Sequence, residues 1–450
     1  MMRTRASILV SLLWCVALLS LLVIGVLHSV FLDLLVVKNF GDRIQAHYLA
    51  LAGVEKAKAL LYQDARERTR SSRNHSGELY DAPQQFRDVQ FGRGQFSVFH
   101  KEREDAGGGI TYGISDEESR LNVNLASTNE LAKLPGISPD IVAAIIDWRD
   151  EDNAVTPGGA EAEYYSSLKP PSLPRNGPLQ TTRELLMVRG VSRDLFLGEG
   201  VKLTGPLELQ GDEGDDDVST PDSGWSSIVT VDSSVKNVNA AGEERVNVQS
   251  SDEAALAGVR GITADIAKAI VAYRGQNQLE SIADLLDVPV GNQNQTASQT
   301  TRQANQAAQN RNGTRSPSPG PKAVSENLLM DIADDVTVES AQDLPGMVNV
   351  NTAGSAVLEC LPGIDPELAK AIISHRKSSG FFPNTAGLLK VPGMNGEIFK
   401  QVAPRVCVRS ETFRILSEGK VTSSGARQRI QVIVHVGLRD VDTLSYKEDL

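Results

Sequence analysis

From Ala6 to Leu32 the chain reads ASILVSLLWCVALLSLLVIGVLHSVFL, 27 residues without a Lys, Arg, Asp or Glu. About 20 apolar residues, rising 1.5 Å each, cross a hydrocarbon core of about 30 Å, so this run predicts a transmembrane helix over residues 6–37. It is longer than the apolar part of a cleaved secretory signal, about 7–15 residues. Arg3 and Arg5 are the only charges before it. Basic residues beside a span stay cytoplasmic, which makes residues 1–5 a cytoplasmic leader and puts the bulk of the chain on the far side of the membrane. Beyond the span the apolar positions change period: Ile44, Ala46, Leu49, Ala50, Gly53, Val54, Ala57, Leu60 and Leu61 recur every three or four residues between Arg43, Glu55, Lys56 and Lys58. One helix is therefore expected to continue to Arg70. Its pattern fits a plain stalk and the spine of a filament subunit equally well.

Alternation with a period of two appears in GQFSVFHKE from Gly94 and GITYGIS from Gly109, and again in ETFRILSEGKVTSSGARQRIQVIVHVGL from Glu411. In the last segment Ile430, Val432, Val434 and Val436 fall on one face, and SSGA makes the turn before them. Strands at both ends with helical sequence between them predict an α+β fold: one sheet, fed by the N-terminal helix and interrupted by an inserted helical domain.

The interior is repetitive. RLNVNLASTNELAKLPGISPDIVAAIIDWR from Arg120, RVNVQSSDEAALAGVRGITADIAKAIVAYR from Arg245 and MVNVNTAGSAVLECLPGIDPELAKAIISHR from Met347 align without a gap. Leu131, Leu134, Ile137, Ile141, Ala144 and Ile145 converge on a turn at Pro135, Gly136 and Ile137. The matching turns lie at Gly261–Ile262 and at Pro362, Gly363 and Ile364. Glycine ends a helix there in the left-handed conformation, Ser138, Thr263 and Asp365 cap the next helix, and Pro139 and Pro366 occupy its first position. Each copy is a helix-hairpin-helix. A second element follows in each, TTRELLMVRGV from Thr181, SIADLLDVPV from Ser281 and TAGLLKVPGM from Thr385, with further glycine turns at Gly190 and at Pro392–Gly393. The first copy also carries a Pro-, Gly- and Tyr-rich insertion at 150–180.

Between copies the composition changes to ELQGDEGDDDVSTPDSG over 208–224 and to a Gln-, Asn- and Pro-rich run over 289–323, neither with enough apolar surface to offset its ordering entropy. The expected organisation is 38–117 for the outer helix and first strands; 118–207, 236–288 and 324–405 for the three hairpin units; 208–235 and 289–323 for flexible linkers; and 406–441 for the closing strands. The acidic run lacks the spaced loop of a calcium motif.

Chemistry adds mainly exclusions. The six histidines, at 28, 47, 75, 100, 375 and 435, have no metal-ligand spacing, and the chain has neither a nucleophile elbow nor a phosphate-binding loop, so no catalytic or metal residues are assigned and no enzyme is expected. Three cysteines are too few for a disulfide framework; Cys360 and Cys407 either pair in an oxidising compartment or stay as two buried thiols. Hairpin amides can hold a phosphate. Here, however, Asp140, Asp265, Asp365 and Glu367 follow the turns, and a net charge of −12 leaves little counterion release to gain. Nucleic acid is not an expected partner, and Arg149, Arg274 and Arg376 read as cations closing their helices.

Together, RASILVSLLWCVALLSLL, LALAGVEKAKALL, ISDEESRLNVN, the LPGI hairpins and the strands around FRILSEGKV resemble the K-type minor pseudopilins of type II secretion systems. The resemblance covers nearly the whole chain apart from the linkers and the extra copy. It implies a pilin-like sheet and a single-pass inner-membrane protein with a cytoplasmic N-terminus and a periplasmic body. It also implies cleavage and N-methylation between Ala6 and Ser7 by a prepilin peptidase. The family has Gly before the cut where this chain has Ala6, and Ser11 stands where most pilins carry Glu, a residue that K-type members also lack. The implied partners are the other minor pseudopilins of the tip complex, the major pseudopilin and the inner-membrane secretion platform. The implied role is to cap the periplasmic pseudopilus in protein export across the outer membrane. The rival is a membrane-anchored helix-hairpin-helix protein of DNA uptake. No cofactor is assigned; some members bind calcium, but no ligands are matched here.

Overall fold

A computed structural model describes residues 3–71, 77–102, 109–198, 224–290, 321–437 and 440–448, with side chains from Val10 onward. The apolar run and the amphipathic stretch after it form one helix, α1 (Arg3–Ser71). Its lower part is long and apolar enough to cross a membrane, and from Val10 to Phe40 its large apolar side chains are exposed. Above that, Ala50, Val54, Ala57 and Leu61 are buried against a sheet.

The sheet is built from β1 (Val89–Phe91), β2 (Gly94–Val98), β3 (Ser115–Asp116), β4 (Thr412–Val421), β5 (Arg427–Val436) and β6 (Val441–Glu448), in the order β1-β2-β4-β5-β6 with β3 also on β4. All these pairings are antiparallel. Phe413 and Ile415 join Ile430, Val432, Val434 and Val436 on the face that meets α1, as the alternation predicts. The helix lies very close to the sheet: a Cβ on Gly419 would collide with the backbone of Ala46 and Ala50. Two closing strands were expected, ending at 441, whereas the structure has a third, β6. Its side chains are mostly exposed on both faces, so it has little of the alternation that reveals a half-buried strand.

Residues between β3 and β4 form the hairpin domain, whose three units share one apolar core. Each unit opens with a two-residue strand, makes two hairpins and closes with a strand parallel to the first. The pairs are Leu121–Asn122 with Val229–Thr230, Val246–Asn247 with Val336–Thr337, and Val348–Asn349 with Val406–Cys407. The second element of each unit is a 3-10 helix: Thr182–Met187, Ile282–Asp287 and Thr385–Lys390.

This closure moves the expected boundaries. The first unit does not end at 207, because Trp225–Ile228 and the strand after it complete it; Trp225 is buried and its indole N–H donates to the Pro135 carbonyl at 2.8 Å. The helix Glu326–Ile332, expected in the third unit, belongs to the second, where Leu328 and Ile332 cover the Gly261 turn. Both polar stretches are therefore insertions within units and not linkers between them. Their central parts, 208–223 and 291–320, lie outside the described residues. The ends of the second insertion meet in an antiparallel bridge between Pro289 and Lys322. The second unit as a whole hangs on a ladder between Ser234–Lys236 and Asp343–Pro345. Sequence reading placed the breaks where composition fell, but closure depends on pairing between distant residues.

The three arginines also differ from expectation. They do not close their own helices but reach back to the segment before the first hairpin. Arg149 donates to the carbonyls of Val123 and Ala126, Arg274 to Val248 at 2.7 Å, and Arg376 to Val350 and Ala353, both at 2.7 Å. An amide side chain beside each contact ties in the second element: Asn124 bonds Leu179, Gln249 accepts from the Leu279 N–H, and Asn351 bonds Phe382. Hydrogen bonds to a charged donor contribute about 1.5–3 kcal/mol each, so Arg376→Ala is expected to destabilise the protein by about 2–4 kcal/mol in denaturant titration, with little recovery in Arg376→Lys.

Candidate functional site

The hairpin turns form as expected. Gly136, Gly190, Gly261, Gly363 and Gly393 all have positive φ, and Ser138, Thr263 and Asp365 accept from helix amides as N-caps. Ile262 and Ile364 are buried and Ile137 is half-buried. Within each unit the turns pack on the opposite hairpin: Gly136 faces Leu195, Gly190 faces Ile141, Gly363 faces Ile398 and Gly393 faces Leu368. The Ile137, Ile262 and Met394 amides are satisfied inside their own turns. Asp140, Asp265 and Glu367 stand exposed in the first helical turns that follow. Arg149, Arg274 and Arg376 are occupied by carbonyls, and the turns pack within their own units.

The other sequence-assigned residues lie apart from the turns. Ala6 and Ser7 fall within α1, and Ser11 is exposed on it. Cys360 and Cys407 do not pair: both are free, buried thiols, hydrogen-bonded to the carbonyls of Ala356 and Arg409 respectively. One lies on a helix of the third unit and the other on its closing strand, and burial pushes the Cys360 thiol up to about 12.

Two acidic clusters were not read from the sequence. The first is Asp116, Glu117 and Glu118, at most 3% exposed, where β3 leads into the first unit. Glu117 accepts from the Thr230 hydroxyl at 2.5 Å and pairs with Arg414 at 2.7 Å, with Arg120 at 3.7 Å. Burial alone would raise its pKa, but the Arg414 and Arg120 guanidinium groups outweigh that and hold the carboxyl below the ordinary glutamate value. Glu118 accepts the amides of Ser234 and Thr412, both at 3.1 Å. Asp116 accepts from the hydroxyls of Ser410, at 2.6 Å, and Thr352, and from the Asn349 amide side chain at 3.2 Å. Three adjacent acidic residues suggest a solvated face by composition; only the fold shows them buried.

The second cluster lies at the 150–180 insertion. Asp147, Asp150 and Glu161 bring carboxylate oxygens within 4.8 Å of one another. The Thr156 amide donates to Asp147, and a Cβ on Gly159 would collide with the same carboxylate. Both oxygens of Glu161 and one of Asp150 are buried without a hydrogen-bond partner. Burial, and then repulsion from neighbouring carboxylates (Asp152 and Asp147 for Asp150, Asp147 and Asp150 for Glu161), raises the pKa values of Asp150 and Glu161. The available signal was the close spacing of Asp147, Asp150 and Asp152 at a helix end, followed by Gly158–Gly159 and Glu161.

Residues 115–197, which hold both clusters, match the family model described as type II secretion system (T2SS), protein K. Type II secretion system protein K of Aeromonas hydrophila is 50% identical over 54 residues, 12% of this chain and 16% of that protein. The Klebsiella pneumoniae protein K is 28% identical over 172 residues, 34% of this chain and 48% of that protein. Over these residues the chain is similar to the type II secretion system protein K family. Its matches span less than half the length of these two relatives. Residues 241–295 and 346–407 match a helix-hairpin-helix motif; the first range covers the opening part of the second unit and the second range covers the third unit. Among solved structures, the GspK-GspI-GspJ complex of the enterotoxigenic Escherichia coli type 2 secretion system aligns over 90% of this chain and 98% of the matched chain, at 12% identity and a TM-score of 0.45.

Glu117→Gln removes the buried partner of Arg414 and Arg120, and a broken buried ion pair costs about 3–5 kcal/mol. Because the folded pKa of Glu117 is lowered, its contribution is full above the unfolded glutamate pKa and is lost as pH falls through the folded value. Denaturant titrations are therefore expected to show a wild-type advantage near neutral pH that narrows in acid.

Proposed function

We propose that the protein is a minor pseudopilin that caps the tip of a periplasmic pseudopilus and takes part in protein export across the outer membrane, as an assembly subunit and not an enzyme. The observation that carries this reading is the placement of the hairpin domain. It interrupts the sheet between Asp116 and Thr412, so a broad helical body adjoins a slender spine helix whose apolar length is exposed for lateral packing. Such a shape joins a filament through α1 and obstructs the addition of another subunit beyond it. Similarity to the protein K family supports the rest of the reading: an inner-membrane anchor with a cytoplasmic N-terminus, processing between Ala6 and Ser7, and contacts with other minor pseudopilins, the major pseudopilin and the secretion platform. The E. coli relative occurs in a complex with GspI and GspJ. Ser11, with no charge at the fifth mature position, suits a subunit with no neighbour above it.

Mass spectrometry of the membrane-extracted protein is expected to find N-methylated Ser7 as the first residue; an intact Met1 or Met2 would remove the pseudopilin reading. A charge in the exposed apolar stretch costs about 2.5–3.5 kcal/mol at the centre of a bilayer, so Leu18→Asp is expected to abolish pseudopilus assembly in a secretion assay.

A divalent cation of the calcium type suits Asp147, Asp150 and Glu161, whose carboxylate oxygens are hard ligands for such an ion; both oxygens of Glu161 and one of Asp150 are unpartnered. It would offset most of the cluster's negative charge and tie the 150–180 insertion to the end of the Pro139–Arg149 helix. At a calcium concentration of 100 times Kd the chelator-treated protein is expected to gain about 2.7 kcal/mol of stability, seen as a rise in Tm that Glu161→Gln removes. An unchanged Tm would refute the site.

A further inference from the structure

Asp116 and Glu118 differ from Glu117 in having no cation beside them. Among the described residues neither makes an ion pair, and both are at most 3% exposed. The chain turns tightly between them, with the Glu118 amide donating to Asp116 at 2.8 Å. Asp116 is supplied with donors from Ser410, Thr352 and Asn349, so its carboxylate is solvated by the protein. Glu118 receives only two backbone amides and faces the Asp116 charge. Two buried carboxylates without a counterion cannot both ionise cheaply; one keeps a proton and gives it to the other as a hydrogen bond.

We infer that Asp116 and Glu118 share one proton and act as a latch between the pilin-like sheet and the hairpin domain, closed when the pair is protonated and loosened when the proton is lost. The bonds that depend on it are the Ser234 amide, at the stem of the second unit, and the Thr412 amide, where β4 begins, together with the contacts of Asn349 and Thr352 at the start of the third unit. Loss of the proton places a second negative charge at the point where these segments converge.

The surrounding groups leave this proton in place. Glu117 is committed to Arg414 and Arg120. Arg68 of α1 is held by Asp64 at 3.1 Å. The Tyr80 phenol and the Cys407 thiol, which face the pair, are themselves held neutral by burial and by the pair's charge. Glu411 accepts the Lys236 amide at 2.7 Å, with His435 4.0 Å away, and is a second titrating group near the stem. Burial, reinforced by the Asp116 charge, pushes the Glu118 carboxyl well above its ordinary range. Its effect is therefore opposite in sign to that of Glu117: stability is full below the unfolded glutamate pKa and is lost as pH rises through the folded value.

The test uses the full-length protein in detergent, with infrared spectroscopy and amide hydrogen exchange across a pH series. Wild type is expected to show the carbonyl band of a protonated buried carboxyl at neutral pH. After correction for intrinsic exchange, protection at the Ser234 and Thr412 amides is expected to fall by up to about tenfold per pH unit between the unfolded and folded pKa values, the slope for one proton. Glu118→Gln and Asp116→Asn each leave a single charge and are expected to lose both the band and the slope. Glu411 is unchanged in both variants, so a slope that persists in them assigns the response to Glu411 and overturns the latch. Absence of the band in wild type at neutral pH overturns it even if neither variant folds.

Discussion

Asp116, Glu117 and Glu118 occupy the crossing between the two halves of the molecule, and each carboxyl is satisfied by a different segment. Glu117 takes the closing strand of the first unit through Thr230 and the sheet through Arg414. Glu118 takes the stem of the second unit through Ser234 and the first residue of β4 through Thr412. Asp116 takes the opening of the third unit through Asn349 and Thr352. Apolar packing holds the sheet on α1 and fills the hairpin core, but those are separate clusters, and packing is non-directional. The directional bonds of three buried carboxyls set how one body sits on the other. Removing any of them would leave buried donors unmatched, a larger penalty than the loss of a surface contact.

Within the hairpin domain, one arrangement occurs three times. An arginine at the end of the longer helix and an amide side chain near the opening strand bind backbone groups that helices and strands leave unpaired. Because each unit closes on itself, a long polar insertion costs mainly the entropy of joining its ends, which grows slowly with length. The bridge at Pro289 and Lys322 holds those ends together, so the second unit keeps its helix Glu326–Ile332 despite the residues between. The same closure gives the domain its breadth beside α1, the feature on which the proposed capping role rests.

Much of this was legible from local pattern. Ala6 to Leu32 gives a helix long and apolar enough to cross a membrane, the repeat of Gly136, Gly261 and Gly363 requires turns, and Ile430 to Val436 announces a buried strand face. These signals act within a few residues, where backbone geometry and side-chain period are the whole constraint. β6 was missed because its side chains are solvated on both faces. The unit boundaries were misplaced because two-residue parallel strands carry no composition of their own. Local pattern fits the three arginines to helix ends, because the carbonyls they bind lie 23 to 26 residues back along the chain.

The chain's own order of residues therefore determined a long apolar spine helix, a sheet split by three helix-hairpin-helix units, and acidic residues after the turns that disfavour a phosphate clamp. Tertiary structure alone decided which hairpin closes which unit, that Cys360 and Cys407 stay apart, and that Asp147, Asp150 and Glu161 meet. It also decided that Asp116, Glu117 and Glu118 are buried and not solvated. The physical reason is that a carboxyl's role depends on its distance from donors, cations and water. Those distances are set by segments far apart in sequence, whereas helix, turn and strand are set by neighbours.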